Sequence, residues 1–175
     1  MDLVKAARKG DNNALLQLFD EHHAPLFRFA WRLTGSMADA EDIVQECFLG
    51  LLRPDCRYDE RRTPPRTYLF GAARTQALKR LRKRVPELDA EPMDSRTPEE
   101  GAMRSEVERS VERAVRELPE LQREVVILAH YEQMPLGEIA ALLEIELGAV
   151  KSRLQRARAS LKESLAVFAA GEETS

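Results

Sequence analysis

The sequence predicts an all-α protein, two small helical domains joined by an acidic linker, with a helix-turn-helix in the second. Three observations carry that expectation. Apolar residues recur three and four positions apart in both halves, and no segment shows the period-two alternation of strands bounded by hairpin turns. Between the halves, Pro86, Pro92 and Pro98 punctuate a run of Asp, Glu, Ser and Thr that has almost no apolar residues to bury. The charge also falls into blocks. Arg61 to Pro86 holds no acidic residue, Glu87 to Glu112 is strongly acidic, and Leu147 to Lys162 is again free of acids. The expected boundaries are 1–85 for the first domain, 86–105 for the linker and 106–170 for the second.

In the first half, helices are expected over Leu3 to Lys9, stopped by Gly10, and over Asn13 to His23 behind an Asp11 cap. A third is expected from Pro25, a residue suited to a first helical position, to Thr34 before Gly35. A fourth follows Ser36, where Ser36 and Asp39 resemble a capping box. Its apolar stripe is Ile43, Val44, Cys47, Phe48, Leu51 and Leu52, and Pro54 ends it. Once that stripe is buried, Asp42, Gln45, Glu46 and Leu49 share a different face, an acidic and partly apolar strip that fits either a docking surface or an ordinary solvated face.

A fifth helix is expected from Pro65 to Arg84. Phe70, Ala73, Ala77 and Leu81 line one side; Tyr68, Thr75, Lys79, Arg82 and Lys83 project from the opposite side. Cations beside an aromatic ring suit melted DNA, where charge follows phosphates and a ring stacks on an unpaired base. Tyr68 equally suits a packing role at the rim of the core.

In the second half, Leu118 and Pro119 open a helix that runs through Tyr131. A short helix is expected from Pro135 to Leu143, with Glu138, Ile139, Ala140, Leu142 and Leu143 on its inward edge. After a four-residue connection, a long one runs from Gly148 to Ala169 with Val150, Leu154, Ala157 and Leu161 inward. Ser152, Gln155, Arg156 and Ala159 then face outward, flanked by Lys151, Arg153 and Arg158. Such amide, guanidinium and hydroxyl groups read base edges or grip phosphates in a major groove. A helical hairpin with a solvated basic face is the plain alternative.

Composition bounds the function. Over 175 residues, 43% are hydrophobic and 33% charged, and no apolar run approaches the roughly 20 residues of a membrane span. The charged N-terminus lacks the apolar stretch of a secretory signal, so a soluble, cytoplasmic protein without membrane insertion is expected. The net charge of −3 hides two basic elements, and two on separate units favour a polyanionic partner. Cys47 and Cys56 fit neither a disulfide framework nor a zinc pattern, and Cys47 reads as a small core residue. No glycine loop, metal cluster or nucleophile and base pair stands at recognisable spacing. No enzyme activity, cofactor, metal or small-molecule substrate is therefore expected.

These residues resemble the extracytoplasmic-function sigma factors over nearly the whole chain. Asp39-Ala40-Glu41-Asp42-Ile43-Val44-Gln45-Glu46-Cys47-Phe48 is similar to the family's polymerase-binding helix, and Thr67 to Arg74 with Leu81-Arg82-Lys83-Arg84 to its promoter-melting helix. Leu118-Pro119, Arg123, Val125 and Glu138-Ile139-Ala140 continue the match. Val150-Lys151-Ser152-Arg153-Leu154 with Arg156-Ala157-Arg158 resembles the helix that reads the upstream promoter element.

The resemblance implies that Asp42, Gln45, Glu46 and Leu49 meet a coiled-coil clamp on the largest subunit of core RNA polymerase. It implies that Arg66, Tyr68, Thr75, Lys79, Arg82 and Lys83, with the loop from Arg57 to Arg66, hold the opened minus-ten element. Lys151, Ser152, Arg153, Gln155, Arg156 and Arg158 would meet the minus-thirty-five element, and the linker would thread toward the polymerase active-site and RNA-exit channels. An anti-sigma factor is implied as a further partner. The competing class is a stand-alone helix-turn-helix regulator that binds duplex DNA without polymerase.

Several positions depart from the family pattern. Tyr68 stands where tryptophan is common, Thr75 where asparagine is, Lys79 where aspartate is, and Pro135 where serine is. Glu144 replaces a turn glycine and Glu146 a capping serine or threonine.

Overall fold

The computed structural model describes residues 2–84 and 105–172, with side chains described as far as residue 166. The chain forms two compact units, 1–91 and 92–175. Apart from Ser105, the expected linker over 86–105 lies outside the described residues.

Asp2 opens helix α1 (Leu3–Arg8) by accepting the Lys5 N–H on its Oδ1 at 2.8 Å. Gly10, at φ +95°, takes the left-handed turn that lets Asp11 cap the next helix, where Asp11 Oδ1 accepts the N–H groups of Asn13 and Ala14.

Helix α2 then runs unbroken over Asn12–Thr34, which corrects the expected break before Pro25. The proline lies inside the helix because the inward stripe stays in phase across it. Ala14, Leu18, half-buried His22, Leu26, Phe29, Ala30 and Leu33 follow at intervals of three and four. A proline inside a helix costs about 3 kcal/mol, and burying side chains of leucine or phenylalanine size at about 1.5–3 kcal/mol each outweighs that. Gly35, left-handed at φ +71°, ends α2, and its N–H meets the Trp31 carbonyl at 2.7 Å.

Ser36 caps helix α3 (Met37–Leu52) by accepting the Asp39 N–H on its Oγ at 3.2 Å. Arg8 closes the other end, with Nε and Nη2 donating to the Leu51 carbonyl at 2.9 and 2.7 Å. Helix α4 (Pro65–Lys83) starts with proline at its first position, where no N–H is needed. Helix α2 packs against α1, α3 and α4, and the core between them holds Leu18, Leu26, Phe29, Ile43, Leu51, Leu69 and Phe70. The Phe29 and Phe70 rings meet at 5.0 Å.

The second unit begins with α5 (Glu106–Glu117), a helix that the expected set omitted; Ser105 Oγ caps it through the Glu108 N–H. Arg123 closes its far end, donating to the carbonyls of Arg116 and Leu118. Helix α6 (Glu120–Val126) continues as a π-turn over Ile127–Tyr131, followed by α7 (Leu136–Leu143) and α8 (Leu147–Glu172). The stretch expected as one helix through Tyr131 is therefore helical throughout, with a widened last turn.

Helix α8 packs on α5, α6 and α7; its Val150, Leu154 and Ala157 are buried, as are Val125, Ile127, Leu128 and Ile139 in the rest of the unit. On α7, Ile139, Ala140 and Leu143 are buried, but Glu138 is exposed, which corrects its expected place on the inward edge. A carboxylate has no reason to enter that apolar seam without a cation. Among the described residues, no helix is long and apolar enough to cross a membrane, and no cluster of His, Cys, Asp or Glu could hold a metal ion.

Candidate nucleic-acid and protein interfaces

Burying Ala40, Ile43, Val44, Cys47, Phe48 and Leu51 forces Asp42, Gln45, Glu46 and Leu49 to the surface of α3. Leu49 is 59% exposed, an apolar group that the fold leaves uncovered next to carboxylates. Those carboxylates have a neighbour on α4. Arg80 Nη2 donates to Glu46 Oε1 at 3.1 Å, and Nη1 lies 3.4 Å from Asp39 Oδ1 and 3.9 Å from Asp42 Oδ2. Arg84 also pairs with Asp39 and donates from Nη1 to the Thr34 carbonyl at 2.9 Å, fastening the end of α4 to the α2–α3 corner. Arg80 falls in the acid-free run from Arg61 to Pro86, where the sequence shows it no partner. The acidic positions lie 34 to 41 residues away in the chain, and no local pattern announces the meeting.

Elsewhere on α4, Thr75, Lys79, Arg82 and Lys83 are exposed, with Thr75 Oγ1 turned back on the Gly71 carbonyl at 3.0 Å. Arg66 is half-buried, its guanidinium over the Phe70 ring at 5.7 Å. Tyr68 is also half-buried, and its ring meets that of Tyr58 at 5.0 Å. Its hydroxyl lies 3.3 Å from Cys56 Sγ. That contact, with burial, pushes the Tyr68 hydroxyl up to about 12, so it stays protonated at neutral pH. The structure places Tyr68 at the rim of the core. Burial, with Glu46 nearby, pushes the Cys47 thiol up to about 12.

On α8, Lys151, Ser152, Gln155, Arg156 and Arg158 are exposed along one surface. Arg153 differs from them in its surroundings. It is 24% exposed and turns inward, its Nη1 lying 3.8 Å from Oε1 of Glu124, which has no exposed surface at all. A buried carboxylate needs charged or hydrogen-bonding company, and α8 supplies part of it from a residue whose chain neighbour Ser152 is exposed. Glu144 ends α7 in the left-handed conformation, φ 56° and ψ 44°, so the glycine geometry of the turn is kept without the glycine. The first N–H groups bonded within α8, from Ala149 and Val150, fall to the Glu146 carbonyl at 3.0 and 3.2 Å.

Two family models match the chain, Sigma-70 region 2 over residues 18–86 and Sigma-70 region 4 over 108–161, one on each unit. The ECF RNA polymerase sigma factor SigL of Mycobacterium tuberculosis is 34% identical, over 94% of this chain and 96% of its own length. The chain belongs to the ECF RNA polymerase sigma factors. SigW of Bacillus subtilis, of the same family, is 28% identical over 93% of this sigma factor and 94% of its own length. Among solved structures, CnrH in complex with the cytosolic domain of CnrY matches with a TM-score of 0.71 at 25% identity, covering 94% of this chain and 96% of CnrH. RpoE in complex with the anti-sigma factor NepR from Bartonella quintana matches at a TM-score of 0.67 and 25% identity, covering 89% and 96%. The all-helical, two-unit architecture of this sigma factor is therefore that of its family.

Proposed function

We propose that this chain is an alternative sigma factor in which α3 docks on core RNA polymerase while α4 and α8 address promoter DNA. Asp42, Gln45, Glu46 and Leu49 meet the polymerase. Arg66, Thr75, Lys79, Arg82 and Lys83 follow the opened minus-ten strand, with Tyr68 supporting the loop before α4. Lys151, Ser152, Gln155, Arg156 and Arg158 read the minus-thirty-five element, and Arg153 braces α8 from within. The observation that carries the reading is the separation of charge by helix. The strip on α3 is acidic, whereas the exposed faces of α4 and α8 are cationic or amide-bearing, and each lies in a unit matched by a sigma-70 region.

An anti-sigma factor as a further partner is supported by the complex in which the similar sigma factor RpoE was solved with the anti-sigma factor NepR. The protein acts in the cytoplasm, where its polymerase is, as an initiation factor that catalyses nothing itself and needs neither cofactor nor small-molecule substrate.

The test is co-elution of the full chain with sigma-free core polymerase, followed by transcription from genomic fragments of the host. Discrete new transcripts are expected, and charge reversal at Asp42 and Glu46 abolishes both association and transcripts while the helical circular dichroism signal stays. Failure to associate, together with tight binding to duplex DNA alone, would make the chain a stand-alone helix-turn-helix regulator.

A further inference from the structure

Arg80 belongs by sequence to the cationic helix and by geometry to the acidic one. Lys79, Arg82 and Lys83, its neighbours on α4, project into solvent, whereas the Arg80 side chain is 25% exposed and lies against α3. Asp39, Asp42 and Glu46 stand three and four residues apart, so they share one face of α3, and a single guanidinium fork spans all three.

The three carboxylates are not equivalent. Asp39 is the most enclosed and also pairs with Arg84, which the Thr34 carbonyl anchors in turn. Asp42 and Glu46 are 62% and 48% exposed, open to a cation arriving from outside. Ion pairs that touch water are weak and easily exchanged, so an incoming cation can replace Arg80 at these two positions, and Asp39 keeps Arg84 as its cation when Arg80 departs.

We propose that Arg80 is an exchangeable cation that couples the two faces of the first unit. In the free chain it neutralises the α3 strip and is withheld from nucleic acid. When a cationic partner takes Asp42 and Glu46, Arg80 swings to the α4 face and adds a phosphate contact beside Lys79 and Lys83. Polymerase docking and capture of the opened strand then strengthen one another by the same factor, as linkage requires. The proposal rests on the assignment of Asp42 and Glu46 to the polymerase, and the experiment separates the two.

The full chain is titrated with mixed-sequence single-stranded DNA at several salt concentrations, and Asp42→Asn with Glu46→Gln imitates the occupied strip. A released Arg80 adds one phosphate contact, so the plot of log affinity against log salt steepens by about 0.7. With Arg80→Gln present, the same two substitutions leave the slope unchanged, and Arg80→Lys restores the steepening. Equal steepening whatever stands at position 80, or none with Arg80 in place, would overturn the proposal. Far-UV circular dichroism reports whether each variant is folded; should Arg80→Gln unfold, Arg80→Met removes the charge while keeping the aliphatic stem packed. Core polymerase is then offered to the Asp42→Asn, Glu46→Gln chain. Retained binding overturns the interface assignment, whereas lost binding with a flat DNA slope overturns the role of Arg80 alone.

Discussion

Glu144 holds a backbone conformation that an L-residue adopts at a cost of roughly 1–2 kcal/mol, while glycine adopts it freely. Part of that gain is lost because glycine makes the unfolded chain more flexible. Glu144→Gly therefore stabilises the second unit by about 0.5–1 kcal/mol, read as a higher urea midpoint with an unchanged m-value. His22 works in the opposite direction. Burial, helped by Arg66 and opposed by Glu21, lowers its pKa below the ordinary 6.5. The unfolded chain thus binds a proton more readily than the folded one, so stability is complete above pH 6.5 and falls as the pH drops from there toward the lower folded value. His22→Gln removes that part of the acid slope, and thermal midpoints across the range measure it.

Helix α8 carries two kinds of arginine, and they separate by what their loss does. Arg156→Ala weakens recognition of the upstream element by about 1–3 kcal/mol and relaxes sequence preference if Arg156 pairs with a base; a uniform loss on all sequences makes it a phosphate contact. Arg153→Ala instead destabilises the unit by about 1–3 kcal/mol, because Glu124 stays buried and loses a cation, and urea unfolding without DNA detects it. The faces of α3, and those of α8 apart from Arg153, were legible in the sequence because each stripe has a helical period, and Ser36 marks the start of α3. The continuity of α2 was not, because a proline at position 25 is an equally good helix start, and only packing on α3 and α4 decides against the break. Helix α5 was masked by its acidity, although Ser105 and Glu108 stand at capping-box spacing ahead of Val111, Ala114, Val115 and Leu118. Arg80 and Glu124 find their partners across tertiary contacts, which no window of sequence contains.

Taken as a whole, the chain carries a net charge of −3 and still presents cationic faces, since its acids and bases sit on different helices. Its affinity for DNA should therefore fall steeply and linearly with log salt, as for a basic protein, and a filter-binding series on duplex and single-stranded DNA checks this. A flat response would mean that the basic side chains of α4 and α8 do not touch phosphate. The same segregation puts the acidic strip of α3 and the cationic face of α4 on neighbouring helices, and Arg80 lies between them.

Pro25 has a further consequence, which concerns time. With no N–H at position 25, the Glu21 carbonyl lacks its helical donor, and Glu21 itself faces solvent. The turn before the proline is thus the place where α2 opens most readily, without the rest of the core letting go. In deuterium its amides should exchange by local opening, well ahead of those at Leu26, Phe29, Ala30, Trp31 and Leu33, whose side chains are clamped in the core, so the longest helix of the first unit breathes from its middle rather than fraying only from its ends.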